Sequence, residues 1–282
     1  MEYIKAAGGA FLRYRHLLIN LVKRDISVKY RRSVLGLVWS VLNPLLMMLV
    51  MTFVFQRLFN MSLTDAATGE PTVPTVGNTG LPPTFAVYLL AGQLIFNFFN
   101  EATNTAMDSV LGNAGLIKKV YIPKYIFPLE KVIFSLVNTL FSFISLAIVM
   151  VFTRSVITWW ALLTPVMLIL LFIFNFGVGL ILSSMVVFFR DIKHLYGIVT
   201  LVLTYMTPIF YTEGILGDST LVLAVMRVNP MYWFVALFRY LVVYGQPPEP
   251  LMWLIPLAWA LGTLIIGLVV FRKTQDKFIL HI

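Results

Sequence analysis

Hydrophobic and polar positions are arranged on two scales in this chain. From 10 to 32 (AFLRYRHLLINLVKRDISVKYRR) they interleave with helical period. At 100° per residue, Phe11, Tyr14, Leu17, Leu18, Leu21, Val22 and Val28 share one face, and Arg13, His16, Asn20, Lys23, Arg24, Ser27 and Arg31 the other. That pattern predicts an amphipathic helix lying in a membrane surface. Asp25 and Lys29 fall on the apolar face at i, i+4, and either an ion pair within the helix or a contact to a partner subunit accounts for them. From 33 to 55 the sequence is SVLGLVWSVLNPLLMMLVMTFVF, with no charge. A run of about 20 apolar residues crosses a bilayer. The same reading predicts spans over 34–56, 84–107, 132–153, 162–189, 194–212 and 251–271. Between 213 and 250, two apolar pieces joined by Asn229-Pro230 are each too short to cross. They read as a re-entrant helix pair over 213–247, with two short true spans as the rival. The expected fold is therefore an all-α integral membrane protein. It has six transmembrane helices, an N-terminal interface helix and a re-entrant pair before the last span, in a single transmembrane domain over 1–282.

Composition sharpens this picture. The 282 residues are 60% hydrophobic and only 12% charged, against about 45–50% and about 25% in soluble domains. There is no cysteine, which excludes disulfides, thiolate metal sites and a cysteine nucleophile. The N-terminal stretch lacks a signal peptide's short apolar core and cleavage site, so the first apolar run is expected to be retained. The net charge of +9 is laid out asymmetrically. Eight Lys and Arg precede the first span, four lie within 118–131, two are Arg190 and Lys193, and three follow the sixth span. Only Arg57, Arg154, Arg227 and Arg239 fall on the other side. The positive-inside rule then puts both termini in the cytoplasm, in a plasma membrane. Charges that flank spans argue against nucleic-acid binding.

The second span carries Gln93, Asn97, Asn100, Glu101, Asn104 and Asp108 within one sector of its helical wheel. Such groups cost several kcal/mol unpaired in hydrocarbon, so the stripe must meet other helices or a wet cavity. Glu101 is either a carboxyl that is simply paired or protonated, or part of a polar path. The segment 112–126 and its continuation to 131 (GNAGLIKKVYIPKYIFPLEK) is too polar to span and reads as a short helix and a Pro-broken cytoplasmic connector. No phosphate-binding loop G-x-x-x-x-G-K-[ST] occurs, so an ATPase, if used, is another polypeptide. No metal-ligand cluster or Ser-His-Asp arrangement is expected, and no catalytic residue is assigned. The loop 57–83, rich in Thr, Gly and Pro, reads as exposed and only partly ordered. Tyr205, Phe210, Tyr211, Tyr232, Trp233 and Tyr240 gather near the outer ends. They suit an interfacial aromatic belt or a lining on which sugars stack.

Four blocks carry a family resemblance: LVKRDISVKYRRSVLGLVWSVLNPLLMM (21–48), GLIKKVYIPKYIFPLEKV (115–132), FFRDIKHLYGIV (188–199), and TPIFYTEGIL with VNPMYWFVALFRY (207–216, 228–240). The chain resembles the permease subunits of ABC exporters for cell-surface polysaccharides: the O-antigen, capsule and teichoic-acid exporters of the Wzm and TagG/TarG type. The resemblance implies a homodimer working with two copies of a separate ATP-binding subunit, which holds ATP and Mg while this chain holds no cofactor. It implies a lipid-linked glycan as substrate. The arm corresponds to an interface helix, 112–126 to a coupling helix whose contacts would be Lys118, Lys119, Tyr121, Pro123 and Lys124, and 213–247 to gate helices. On that basis Arg13, Lys23, Arg24, Arg31 and Arg32 are expected to attract a lipid pyrophosphate. Trp39, Asn97, Glu101, Tyr205, Tyr211, Tyr232 and Trp233 are expected along the path. An exporter of drugs or small lipids, or an ATP-independent carrier or channel, are the alternatives.

Overall fold

A computed structural model describes residues 2–31, 33–64, 69–77, 79–120, 122–213 and 220–281, with side chains from 14 onward. Among them the chain is helical, and the one β-feature is an isolated bridge between Thr64 and Pro71. The arm is one helix, α1 (Glu2–Tyr30). α2 (Val38–Phe53) continues through a π-helical turn, Val54–Leu58. α3 (Phe85–Gly112) leads into a four-residue α4 (Ala114–Ile117), and α5 (Ile126–Phe152) follows. α6 (Thr164–Phe188) and α7 (Ile192–Met206) precede the broken pair α8 (Thr220–Val228) and α9 (Pro230–Phe238), the latter extended by a π-helical segment, Arg239–Tyr244. α10 (Pro250–Thr274) and a short α11 (Phe278–His281) complete the chain.

Among the described residues, four helices are long and apolar enough to cross a membrane: 38–58, 126–152, 159–188 and 250–281. The α8–α9 pair, bent by 85°, makes a fifth if counted as one broken span. α3 is long enough, at 28 residues or about 42 Å, but its polar stripe dilutes its apolar character. α7 has 15 residues, shorter than the run expected over 194–212. The helix expected through 112–126 is only one turn of helix, because Pro123 and the turn at 118–120 stop it.

α3 sits at the centre. Leu89, Leu90, Leu94, Ile95 and Phe98 on it are fully buried, against α5, α6 and α9. This inversion follows from its composition: a helix bearing amides and carboxylates is expelled from lipid into the protein. By contrast α2, α7 and α10 present bands of exposed Leu, Ile and Val, among them Leu46, Leu49, Val50, Leu201, Val202, Leu261, Ile265 and Ile266. Apolar bands of this extent need lipid or another subunit against them. α6 and α10 meet backbone to backbone: a Cβ on Gly177 would lie 2.5 Å from the Thr263 carbonyl carbon, and one on Gly267 2.5 Å from the Gly177 oxygen. Gly179 lets α6 approach α3, since a Cβ there would lie 2.8 Å from the Ala106 Cβ.

Arm, connector and C-terminus share one apolar cluster at the basic end of the molecule. It contains Leu18, Leu21, Ile117, Ile122, Phe127, Phe271 and Phe278. The arm buries Leu18, Leu21 and Val22, as its amphipathic pattern requires, and exposes His16, Asn20, Lys23, Arg24 and Ser27. Val28, assigned to the apolar face, is 65% exposed, and the contacts of that end of the helix run instead through its neighbours Lys29 and Tyr30.

Candidate substrate clefts

The first cleft, about 420 Å³, lies at the basic end between α1, α2, α3 and α5. Its wall includes Lys29, Trp39, Asn43, Asn97, Glu101 and Asn138. Asp25 and Lys29 do not pair with each other, so the first of the two readings of their i, i+4 spacing does not hold within this chain. Each reaches a different helix. Lys29 Nζ donates to Glu101 Oε1 at 2.6 Å. Asp25 accepts from Lys131 of α5 and, at 2.8 Å, from Arg24 Nε. Tertiary packing wins because each side chain finds a partner on another helix: Asp25 and Lys131 are less than a fifth exposed, where a charge pair is stronger than on a wet helix face, and Glu101 is held ready for Lys29 by Asn138. Asn138 Nδ2 donates to Glu101 Oε2 at 2.8 Å, and Tyr30 OH donates to Asn138 Oδ1 at 2.8 Å. Glu101 is thus a paired carboxylate at a junction of three helices.

Pro44 shapes the same wall. Lacking an N–H, it leaves the Ser40 carbonyl without its helical donor. Ser142 Oγ of α5 donates to that carbonyl at 3.0 Å, stitching α2 to α5 behind the cleft. Asn97 is exposed, and Asn100 and Asn104 are half-buried and bonded to each other, Nδ2 of Asn104 to Oδ1 of Asn100 at 2.7 Å. The polar stripe is therefore partly open at the surface of a single chain.

The second cleft, about 390 Å³, lies at the opposite end. Tyr88, Glu213, Arg227, Tyr232, Trp233 and Glu249 are on its wall, with Thr72, Val73 and Pro74 from the long loop. The anchor beneath it is Arg239, 3% exposed. Its guanidinium donates to the carbonyls of Pro208 (2.6 Å), Ile209 (3.2 Å) and Tyr88 (3.1 Å) and lies 3.5 Å over the Tyr88 ring. Pro208 and Ile209 are in the irregular stretch after α7, which Tyr88 OH also reaches at Tyr211 O (2.9 Å), while the Tyr88 carbonyl belongs to α3, so Arg239 ties that stretch to α3. Gly92 makes the room: a Cβ there would stand 2.5 Å from Arg239 Nη2.

The sequence-predicted path residues are thus divided. Trp39, Asn97 and Glu101 share the first cleft, and Tyr232 and Trp233 the second. Tyr211 OH donates to the Tyr205 carbonyl at 2.5 Å, and Tyr205, 67% exposed, stands outside both. Of the basic residues, Lys23 and Arg31 are exposed and Arg24 is engaged by Asp25. The Arg13 side chain and Arg32 lie outside the described residues. Lys118 and Lys119 project from the connector, while Lys124 donates to the Gln275 carbonyl at 2.6 Å and packs over Phe278. Pro123 is half-buried, and Tyr121 lies outside the described residues. Sequence reasoning missed Lys29, Asn43, Asn138, Glu213 and the role of Arg239. The signals were present as an Asn-Pro inside an apolar run and isolated polar residues in the third and re-entrant segments. Among the described residues no group of three His, Asp or Glu gathers to hold a metal.

Comparison with known proteins places these clefts in context. The family model for ABC-2 type transporter membrane proteins matches residues 16–243. An O-antigen export system permease protein, RfbA, of Klebsiella pneumoniae is 24% identical over 265 residues, 93% of each chain. A second RfbA from the same species is 25% identical over 266 residues, again 93% of each. RfbA of Myxococcus xanthus is 25% identical over 271 residues, 94% of this chain and 95% of its own.

Proposed function

This chain belongs to the ABC-2 type transporter family, whose permeases work with an ATP-binding subunit, and from that premise we propose that it is the membrane-spanning permease of an ATP-driven exporter of a cell-surface polysaccharide. The observation that carries the reading is the end-to-end match to O-antigen export permeases. Two further features support it. The polar cleft at the basic end is partly open at the surface, where a second copy would close it. The connector offers Lys118 and Lys119 outward on buried anchors, Ile117 and Ile122.

The reading has six spans, α2, α3, α5, α6, α7 and α10, with α8–α9 re-entrant and both ends cytoplasmic. α7 covers about 22 Å, short of the roughly 30 Å hydrocarbon core. The irregular stretch after it completes the crossing, tolerable at that depth because Arg239 and Tyr88 satisfy its carbonyls. Two copies enclose the path and two ATPase subunits dock on the connectors. A lipid-linked glycan approaches from the inner leaflet along the basic face of α1, where Lys23, Arg24 and Arg31, with Arg13 and Arg32, attract its pyrophosphate. Its sugars then meet Trp39, Asn97 and Glu101.

The test is genetic and topological. Deleting the gene leaves surface polysaccharide absent and its lipid-linked form trapped inside, and the wild-type chain restores it. Neutralising Arg24, Arg31 and Arg32 together impairs export without preventing dimer assembly; undiminished export removes the entrance role. The chain has no cysteine, so a single cysteine at Lys119 is a clean probe. Labelling of that cysteine from outside intact cells overturns the orientation. Transport by this chain without an ATPase, or ATPase stimulation by small amphiphiles with normal polysaccharide, overturns the substrate class.

A further inference from the structure

The cleft at the far end from the arm has the makings of a ligand site in its own right, separate from the polar stripe of α3. Its volume, about 390 Å³, lies in the roughly 300–1,000 Å³ range of small-ligand pockets. Its aromatic walls meet in two right-angled corners: Tyr232 with Trp233 (centroids 5.3 Å, 83°) and Tyr240 with Tyr244 (5.3 Å, 87°). The polar ends of the first corner are already used. Tyr232 OH donates to Glu213 Oε1 at 2.7 Å, and Trp233 Nε1 donates to the Arg227 carbonyl at 2.8 Å. What those rings offer the cavity is their faces. Hydrogen-bonding capacity comes from Glu213, Glu249 and Arg227, which also line it.

The charge balance selects the ligand. Two carboxylates face one outward guanidinium, since Arg239 spends its donors on three backbone carbonyls. An anion is disfavoured there, and an acyl chain would strip water from charged groups at several kcal/mol. A neutral ring with hydroxyls on its rim and C–H bonds on its face satisfies both kinds of wall. The loop completes the enclosure. Gly77 N donates to the Tyr244 carbonyl at 2.7 Å and Gln246 Nε2 to the Thr75 carbonyl at 2.7 Å, holding Thr72, Val73 and Pro74 over the cavity. The loop that composition reads as exposed and partly ordered is here a roof fastened to the end of α9.

We infer that this pocket, walled by Tyr232, Trp233, Tyr240, Glu213 and Glu249 and roofed by 72–74, binds one neutral sugar residue of the polymer as it emerges. The inference rests on the export reading and assigns the loop a substrate-holding role.

The experiment uses the full-length permease with its ATPase partner in lipid nanodiscs. The probes are N-acetylglucosamine, galactose, mannose and rhamnose, with glycerol as control, read by saturation-transfer difference NMR. At least one sugar receives saturation at its ring protons and glycerol does not. Two variants locate the binding. Ala236→Phe fills the cavity from α9 without removing a polar group, and Glu213→Gln keeps side-chain volume and the acceptor for Tyr232. Glu213→Gln weakens the sugar about tenfold, the loss expected for one hydrogen bond to a charged group, and Ala236→Phe, which takes the ring's space, weakens it at least as much. Absence of transfer to all four sugars overturns the site, as does transfer that neither variant reduces. Export in the deletion strain separates the two ideas. Restored surface polysaccharide with no pocket-dependent sugar binding sinks the site alone. Pocket-dependent binding without restored polysaccharide sinks the export reading alone.

Discussion

The two clefts are nearly equal in volume, about 420 and 390 Å³, yet they spend their charges differently. At the basic end, cations pair with carboxylates on other helices: Lys29 with Glu101, Lys131 with Asp25, Lys193 with Asp108. Each cation can exchange its partner for a ligand anion while the backbone stays satisfied. At the opposite end the buried cation is bonded to carbonyls of an unwound backbone, so displacing it breaks the fold. One end is wired for rearrangement, the other is clamped. An exporter needs both: a wall that responds to a charged headgroup, and irregular backbone at membrane depth that does not collapse.

The sharpest way to break this contrast is to remove the clamp. Arg239→Leu leaves the buried Ile209 carbonyl without its donor, the Pro208 carbonyl with only the Tyr88 hydroxyl at 3.3 Å, and cuts the tie to α3 at Tyr88, an expected loss of about 2–3 kcal/mol. The folded, monodisperse fraction in detergent should fall steeply. Arg239→Lys should lie between, because one ammonium cannot fork across two elements. If Arg239→Leu is as stable as wild type, the far end is not clamped and the contrast fails.

The matching change at the basic end should act on function more than on stability. Lys29 and Glu101 are 36% and 25% exposed at their side chains, so solvent screens their pair and its loss costs about 1 kcal/mol or less. Glu101→Gln should reduce export severalfold with little change in folded yield. The swapped pair, Lys29→Glu with Glu101→Lys, should recover part of it. Stability loss equal to that of Arg239→Leu would erase the distinction.

Apolar runs, loop chemistry and charge asymmetry made the helices legible, because lipid imposes length and polarity rules that a sequence obeys locally. The α3 stripe was legible as something needing cover. Its partners were not, since Asn138 and Lys29 lie far off in sequence and only the folded groove joins them. The same limit explains why the sequence left Asp25 and Lys29 between two readings: helical spacing is visible in one segment, and competition from α3 and α5 is not. Arg239 read as an odd charge in an apolar piece, and its meaning depends on where α7 unwinds. The connector was legible as polar and Pro-broken, but its attachment through Lys124 to the Gln275 carbonyl was hidden, because that contact spans 151 residues.

The smallest effect sharpens the comparison through pH. Burial against α5 acts to raise the Asp25 carboxyl pKa, but Lys131 and Arg24 outweigh it and hold the group below its ordinary value. The folded pKa is therefore lower than the unfolded one, and this stabilisation is complete above the ordinary Asp range, about 3.9. It is lost as pH falls through the folded value. A spin-label distance between α1 and α5 should stay constant from pH 7 down to about 4 and lengthen below it. Asp25→Asn should show the longer distance throughout, with no such step. The clamp at the far end is built on backbone carbonyls and not on a carboxylate, so labels on α9 and α3 should not move. A step near neutrality, or equal movement at both ends, would mean that Asp25 does not hold the arm and that the two ends are not wired differently.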